Sequence, residues 1–175
     1  MISAFDIFKI GIGPSSSHTV GPMNAGKCFI DRLIDSGDLP RTTRITVDLY
    51  GSLSLTGKGH ATDTAIIMGL AGNTPQDVNI DSIPAFIQEV ARSSRLSVAG
   101  GAHVVDFPVA DSILFHAETL ARRAMKTVCE LPWRAMKTVC ELPPGTDKRR
   151  FCTKRITLLA AALLSKRNAL VSRTT

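Results

Sequence analysis

An α/β (α+β) domain, a mixed sheet with packed helices, is what this sequence predicts, on three observations. Residues 44–50 alternate strictly, with Ile45, Val47 and Leu49 against Thr46, Asp48 and Tyr50, which is the two-residue period of a half-buried strand. Residues 23–36 place Met23, Phe29, Ile30, Leu33 and Ile34 at helical spacing, closed by Gly37. Further segments of both kinds interleave along the chain, the pattern expected where helices cover a sheet.

The elements follow in order. A loop rich in Gly, Ser and Pro occupies 11–22, ahead of the helix over 23–36 and the strand over 44–50. A second Gly/Ser/Thr loop over 51–59 leads to a helix over 61–70 that ends near Gly72. Ser82 is placed to cap a helix with Pro84 in its first turn, running to about residue 94. Short strands are expected over 104–107 and 113–115.

At 175 residues, 44% hydrophobic and 21% charged, the chain has the size and composition of one globular domain. The first ten residues are too short in apolar length, and too interrupted by Asp6 and Lys9, for a secretory leader. The longest apolar run, 156–164, falls far short of the ~20 residues of a spanning helix, so a soluble, cytoplasmic protein is expected. Cys28, Cys129, Cys140 and Cys152 form no CxxC pair, which leaves a zinc site unsupported. Cys28 reads as a small buried residue of the first helix. A reducing compartment makes disulfides unexpected.

The two ends differ in charge. Residues 1–120 hold 8 Lys/Arg against 12 Asp/Glu, whereas 121–175 hold 13 against 3. A basic tail of that kind ordinarily suggests nucleic acid or a membrane surface. The texture changes at the same place, because residues 123–132 recur without substitution as 134–143, with only Trp133 between. Architectural repeats drift and usually span 20 or more residues. An exact ten-residue copy reads as a duplicated stretch of coding sequence.

Two loops carry candidate chemistry. In the first, Ser15, Ser16 and Ser17 precede His18 and Thr19 at a helix N-terminus, where hydroxyls and backbone N–H groups form a concavity suited to a carboxylate or phosphate. A serine-rich cap with a solvated histidine explains the same residues. In the second, Gly57-Lys58-Gly59 lacks the spacing and the following Ser/Thr of a phosphate-binding loop. His60 heads a helix whose dipole disfavours the imidazolium, leaving the neutral ring that a general base requires. A capping histidine fits equally well on spacing alone.

The motifs narrow the choice. Gly-Ile-Gly-Pro-Ser-Ser-Ser-His-Thr-Val-Gly-Pro over 11–22 and Tyr-Gly-Ser-Leu-Ser-Leu-Thr-Gly-Lys-Gly-His over 50–60, with Asp63, resemble the N-terminal, beta-chain-like domain of the bacterial iron–sulfur L-serine dehydratases (L-serine ammonia-lyases). Ile-Ile-Met-Gly-Leu-Ala-Gly-Asn over 66–73, Ile83-Pro84 and Val-Asp-Phe-Pro over 105–108 extend the resemblance, which runs nearly continuously over 1–120. It implies α,β-elimination of water from L-serine to give pyruvate and ammonia. A [4Fe–4S] cluster would act as Lewis acid toward the β-hydroxyl. By the same resemblance Ser15, Ser16, Ser17 and Thr19 contact the substrate, and His18 and His60 are the acid/base candidates, with His60 preferred as base. Lys58 is a secondary candidate for charge stabilisation, and His103 and His116 are structural.

The family's cluster cysteines belong to a C-terminal domain to which none of Cys129, Cys140 and Cys152 corresponds. The chain by itself is therefore expected to bind no cluster and to be inactive. Read one base out of frame with suitable codons, the family's Lys-Thr-Tyr-Tyr-Ser-Val and Gly-Gly-Gly-Phe-Ile-Val become residues 154–159 and 160–165 of this chain. Its His-Glu-Asn-Gly-Met-Arg-Ile-Thr-Ala-Trp becomes 136–145. The expected organisation is thus a domain over 1–120 and a frameshifted tail over 121–175, irregular or an adventitious helix near 155–171, with no nucleic-acid or membrane partner. A homodimer remains a candidate assembly. A non-catalytic amino-acid-binding module and an inactive pseudogene product are the competing readings.

Overall fold

The structure, a computed structural model, describes residues 12–13, 15–117, 124–131, 136–142 and 155–158. Helix α1 spans Val20–Asp35, beginning earlier than its apolar spacing suggests, because Pro22 in the first turn lacks only an N–H that has no helical partner there. It ends where Gly37 turns left-handed at φ 71°, letting the Asp38 N–H reach back to the Leu33 carbonyl. Cys28 lies on α1 as expected, but half-buried rather than fully buried. Strand β1, Arg44–Leu49, buries Ile45, Val47 and Leu49 completely and leaves the alternate residues partly open, as the period predicts.

The stretch 51–59, expected as a loop, is largely helical. Gly51 turns at φ 58° into α2, Ser52–Thr56, and a 3₁₀ turn follows over Lys58–His60. The reason is tertiary: Leu53 is buried against the core, and a Cβ at Gly57 would press on the Phe115 ring. Helix α3, Thr62–Leu70, is apolar nearly all round and is buried over Ala65–Leu70.

Helix α4, Ile83–Ser93, packs Ile83 and Val90 inward. Ser82 does not cap it, since its hydroxyl donates to the Asn79 carbonyl while the Asn79 side chain accepts from the Asp81 N–H. The cap serves the 3₁₀ turn Ile80–Ser82 instead. A hairpin of β2, Arg95–Val98, and β3, His103–Asp106, comes next, then one helical turn (α5, Val109–Ser112) and β4, Ile113–Phe115. Strand β2 is absent from the sequence reading, whereas β4 matches it.

Strand β1 holds the sheet together. It runs parallel to β3 at Arg44↔Asp106 and to β4 from Val47↔Ile113 to Leu49↔Phe115. Its other edge pairs antiparallel with β5, Met125–Glu130, from Arg44↔Glu130 to Leu49↔Met125. Strands β6, Met136–Leu142, and β7, Arg155–Leu158, continue outward, giving the order β2-β3-β1-β5-β6-β7 with β4 also beside β1. This corrects the expectation of an irregular or helical tail at those residues. Met125, Thr127 and Cys129 are buried at period two and fit the open edge of β1 whatever their origin. The opening segment 1–11, Cys152 and the part of the expected helix over 159–171 lie outside the described residues.

Helices α1 and α3 cross on the face of the sheet that carries Ile45, Val47 and Leu49. Their close approach depends on two glycines. A Cβ at Gly69 would collide with the Met23 carbonyl, and one at Gly26 would lie 3.1 Å from the Leu70 nitrogen. Phe29, Ile30, Leu33, Ile66 and Leu70 fill the space between helices and sheet. Burial of each such side chain contributes ~1.5–3 kcal/mol.

Candidate functional site

The N-terminal end of α1 and the turn between α2 and α3 meet at the surface, and each brings a histidine. The rings of His18 and His60 lie 4.9 Å apart, tilted by 32°. The loops touch directly. A Cβ at Gly13 would come within 2.8 Å of both the His60 carbonyl oxygen and the Thr19 methyl, so glycine is what permits this approach.

Each ring is held by hydrogen bonds that define its tautomer. The His60 Nδ1–H donates to the Thr56 carbonyl at 2.8 Å, which in the neutral ring leaves the Nε2 lone pair without a partner among the described residues. The Thr56 hydroxyl donates to the Ser52 carbonyl at 2.9 Å and so accepts from the His18 Nε2–H, also at 2.9 Å. His18 Nδ1 then accepts from the serine hydroxyls, with Ser17 Oγ at 3.0 Å and Ser15 Oγ at 3.2 Å. With both rings in their neutral forms, His18 is bonded through both ring nitrogens, whereas His60 Nε2 has no hydrogen-bond partner among the described residues. Backbone strain lies beside it: Ala61 is left-handed at φ 57°, between the 3₁₀ turn and α3.

The remaining candidates divide by exposure. Ser16 and Ser17 are exposed and Ser15 is half-buried, so hydroxyls face outward beside the histidines. Thr19 is buried, and its hydroxyl donates to the Ser15 carbonyl at 2.8 Å, which shapes the serine turn rather than facing solvent. Lys58 extends over the Phe115 ring, 5.2 Å from its centre. His103 Nε2–H donates to the Thr42 carbonyl at 2.7 Å. His116 lies 2.8 Å from Asp48 Oδ1 and stacks on Tyr50. Both latter histidines are engaged in contacts that tie strands and loops together.

Thr56 is the residue that the sequence reading missed. It touches both rings, one through its hydroxyl and one through its carbonyl. The signal was present in the spacing of Ser52, Thr56 and His60, four residues apart and hence stacked on one face of a helical turn. That signal is invisible while the segment is read as a loop. Among the described residues, no three His, Cys, Asp or Glu side chains converge as metal ligands, and no helix is long and apolar enough to cross a membrane.

Comparison with known proteins identifies the family. The family model for the serine dehydratase beta chain matches residues 3–131. L-serine dehydratase TdcG of Escherichia coli K12 is 79% identical over 122 residues, covering 70% of this chain and 27% of that protein. The L-serine dehydratase of Haemophilus influenzae is 57% identical over 116 residues, 66% of this chain and 26% of the relative. That of Streptomyces coelicolor is 44% identical over 115 residues, 66% and 25% respectively. The chain thus spans about a quarter of the length of these relatives. With both histidine loops inside the matched region, the chain belongs to the serine dehydratase beta chain family.

Proposed function

We propose that this domain supplies the substrate-anchoring and proton-transfer half of an L-serine dehydratase site, in which L-serine is converted to pyruvate and ammonia by α,β-elimination. The observation that carries this reading is the His18–His60 ring pair, with both rings hydrogen-bonded to Thr56. His60, its Nδ1–H fixed on the Thr56 carbonyl, presents Nε2 as the base for the Cα proton. His18, bonded to Thr56 and the serines, holds the hydroxyls of Ser15 and Ser17 beside that base. Those hydroxyls, with Ser16, are arranged for a small carboxylate or ammonium group. Thr19 positions the turn, and Lys58 adds positive charge at the rim.

The described residues do not fit the [4Fe–4S] cluster that the family reading implies. What they offer is a base and hydroxyl donors, not a cysteine set. In this reading the Lewis acid for the β-hydroxyl is held by other residues, and the domain by itself binds substrate without turning it over.

The test is an NMR titration of the chain with L-serine, following the imidazole nitrogens. The expected result is that L-serine shifts the His18 and His60 signals, more than D-serine does, and that Ser17→Ala weakens the response severalfold. Absence of any shift at near-saturating L-serine would sink the reading.

Residues after about 120 are further proposed to derive from a shifted reading frame. The charge reversal and the exact ten-residue copy support this, as does the one-base relation to the family's continuation. Sequencing the gene across codons 115–150 tests it, and a frame continuous with the family's through that stretch would refute it.

A further inference from the structure

The duplicated segment has a property that follows from its register. The two copies of Met-Lys-Thr-Val-Cys-Glu-Leu, at 125–131 and 136–142, pair antiparallel as Met125↔Leu142, Lys126↔Glu141, Thr127↔Cys140 and Val128↔Val139. Numbered within the heptapeptide, position 1 meets 7, 2 meets 6, 3 meets 5 and 4 meets itself. An identical sequence is therefore paired with itself about its central valine. In that register Met125 falls opposite Leu142 at one end, and Lys126 falls opposite Glu141, residue types that form favourable cross-strand combinations.

We infer that strand β5 is a self-complementary edge whose matching partner is β5 of a second copy of this chain, and that β6 occupies this edge as an intramolecular substitute. Pairing between chains would use the same heptapeptide in the same register about Val128. Lys126 would then stand opposite the partner's Glu130, and Thr127 opposite the partner's Cys129. Such a contact is isologous and closes at two chains. Within one chain the five residues 131–135 tether the second copy beside the first, at an effective concentration of roughly millimolar. The tethered copy outcompetes a free chain at lower concentrations, so the edge stays covered.

The arrangement is tested by uncovering the edge. Val139→Pro in the full chain removes a ladder hydrogen bond at the centre of β6 without changing β5. Added to it, Thr127→Cys reports the pairing, since directly opposed cysteines on neighbouring strands approach disulfide distance. With oxidised glutathione added as the two-electron acceptor, which is released as two reduced glutathione thiols, Thr127→Cys in the parent chain is expected to bridge to Cys140 within one molecule, giving a covalent monomer. With Val139→Pro it is expected to bridge to the partner's Cys129, giving a covalent dimer, mapped by mass spectrometry of the linked peptides. A folded Val139→Pro chain that forms no interchain 127–129 bridge overturns the inference, as does one that assembles beyond dimers. Should Val139→Pro fail to fold, deletion of residues 133–143 leaves a single copy and carries the same readout. Failure of both to fold also overturns it, because β5 would then require a covalently attached neighbour.

Discussion

The crossing of α1 and α3 and the meeting of the two histidine loops lie at opposite ends of a scale of rigidity, although α1 and α3 take part in both. The helix crossing is dry and close, with Phe29, Ile30, Leu33, Ile66 and Leu70 fully buried and glycines where backbones approach. The loops are half-exposed and are held by a handful of hydrogen bonds that pass through Thr56, Ser15 and Ser17. Stability and chemistry are thus assigned to different atoms of the same elements. A substitution at the crossing should cost folding and leave the histidines' pairing intact in whatever folds. A substitution in the loops should do the reverse.

Phe29→Ala should have the largest effect, a loss of ~3–5 kcal/mol from lost transfer energy and the cavity left behind. Denaturant unfolding would show it as a lowered midpoint. A loss under about 1 kcal/mol would mean that the crossing is not a rigid, close-packed region. Gly69→Ala should cost ~1–3 kcal/mol, because its Cβ can be accommodated only by moving α3 away from the Met23 carbonyl. Thermal unfolding measures this, and the imidazole spectrum of the folded fraction should stay unchanged. Thr56→Val should alter stability by only ~0.5–1.5 kcal/mol. It should change the His18 ring signals while His60, bonded to the backbone carbonyl at 56, keeps its Nδ1–H. If both rings change together, the two histidines are coupled more tightly than the separate bonds imply. Ala61→Gly should have the smallest effect. It relieves a left-handed alanine worth ~1–2 kcal/mol but adds unfolded-chain freedom worth ~0.5–1 kcal/mol, a net gain of ~0–1.5 kcal/mol.

Local periodicity made much of the scaffold legible. The alternation at Ile45, Val47 and Leu49 set both the strand and its buried face, and the spacing of Phe29, Ile30 and Leu33 set the face of α1. Two kinds of element escaped. Strand β2 has four residues and follows a helix directly, so Leu96 and Val98 give too short a pattern to separate from the helix end. Strand β5 was masked by its basic, duplicated context: Met125, Thr127 and Cys129 are buried at period two, but Val128 is buried between them, so its pattern is less regular than that of β1. Of the candidate site, both histidines and the serines could be singled out from the sequence. Thr56 could not, because a Ser/Gly/Thr segment carries loop signals until the burial of Leu53 makes it helical.

By itself, then, the sequence determined the buried face of β1 and, apart from the exposed Ile34, that of α1, and, through two long motifs, the family. Those properties depend on neighbours a few positions away. Only the tertiary structure decided that His18 and His60 stand ring to ring across 42 positions, that Gly13 lets their loops touch, and that β5 completes the sheet against β1. Contacts at that separation depend on how helices and strands pack, and local periodicity holds no record of packing between distant segments.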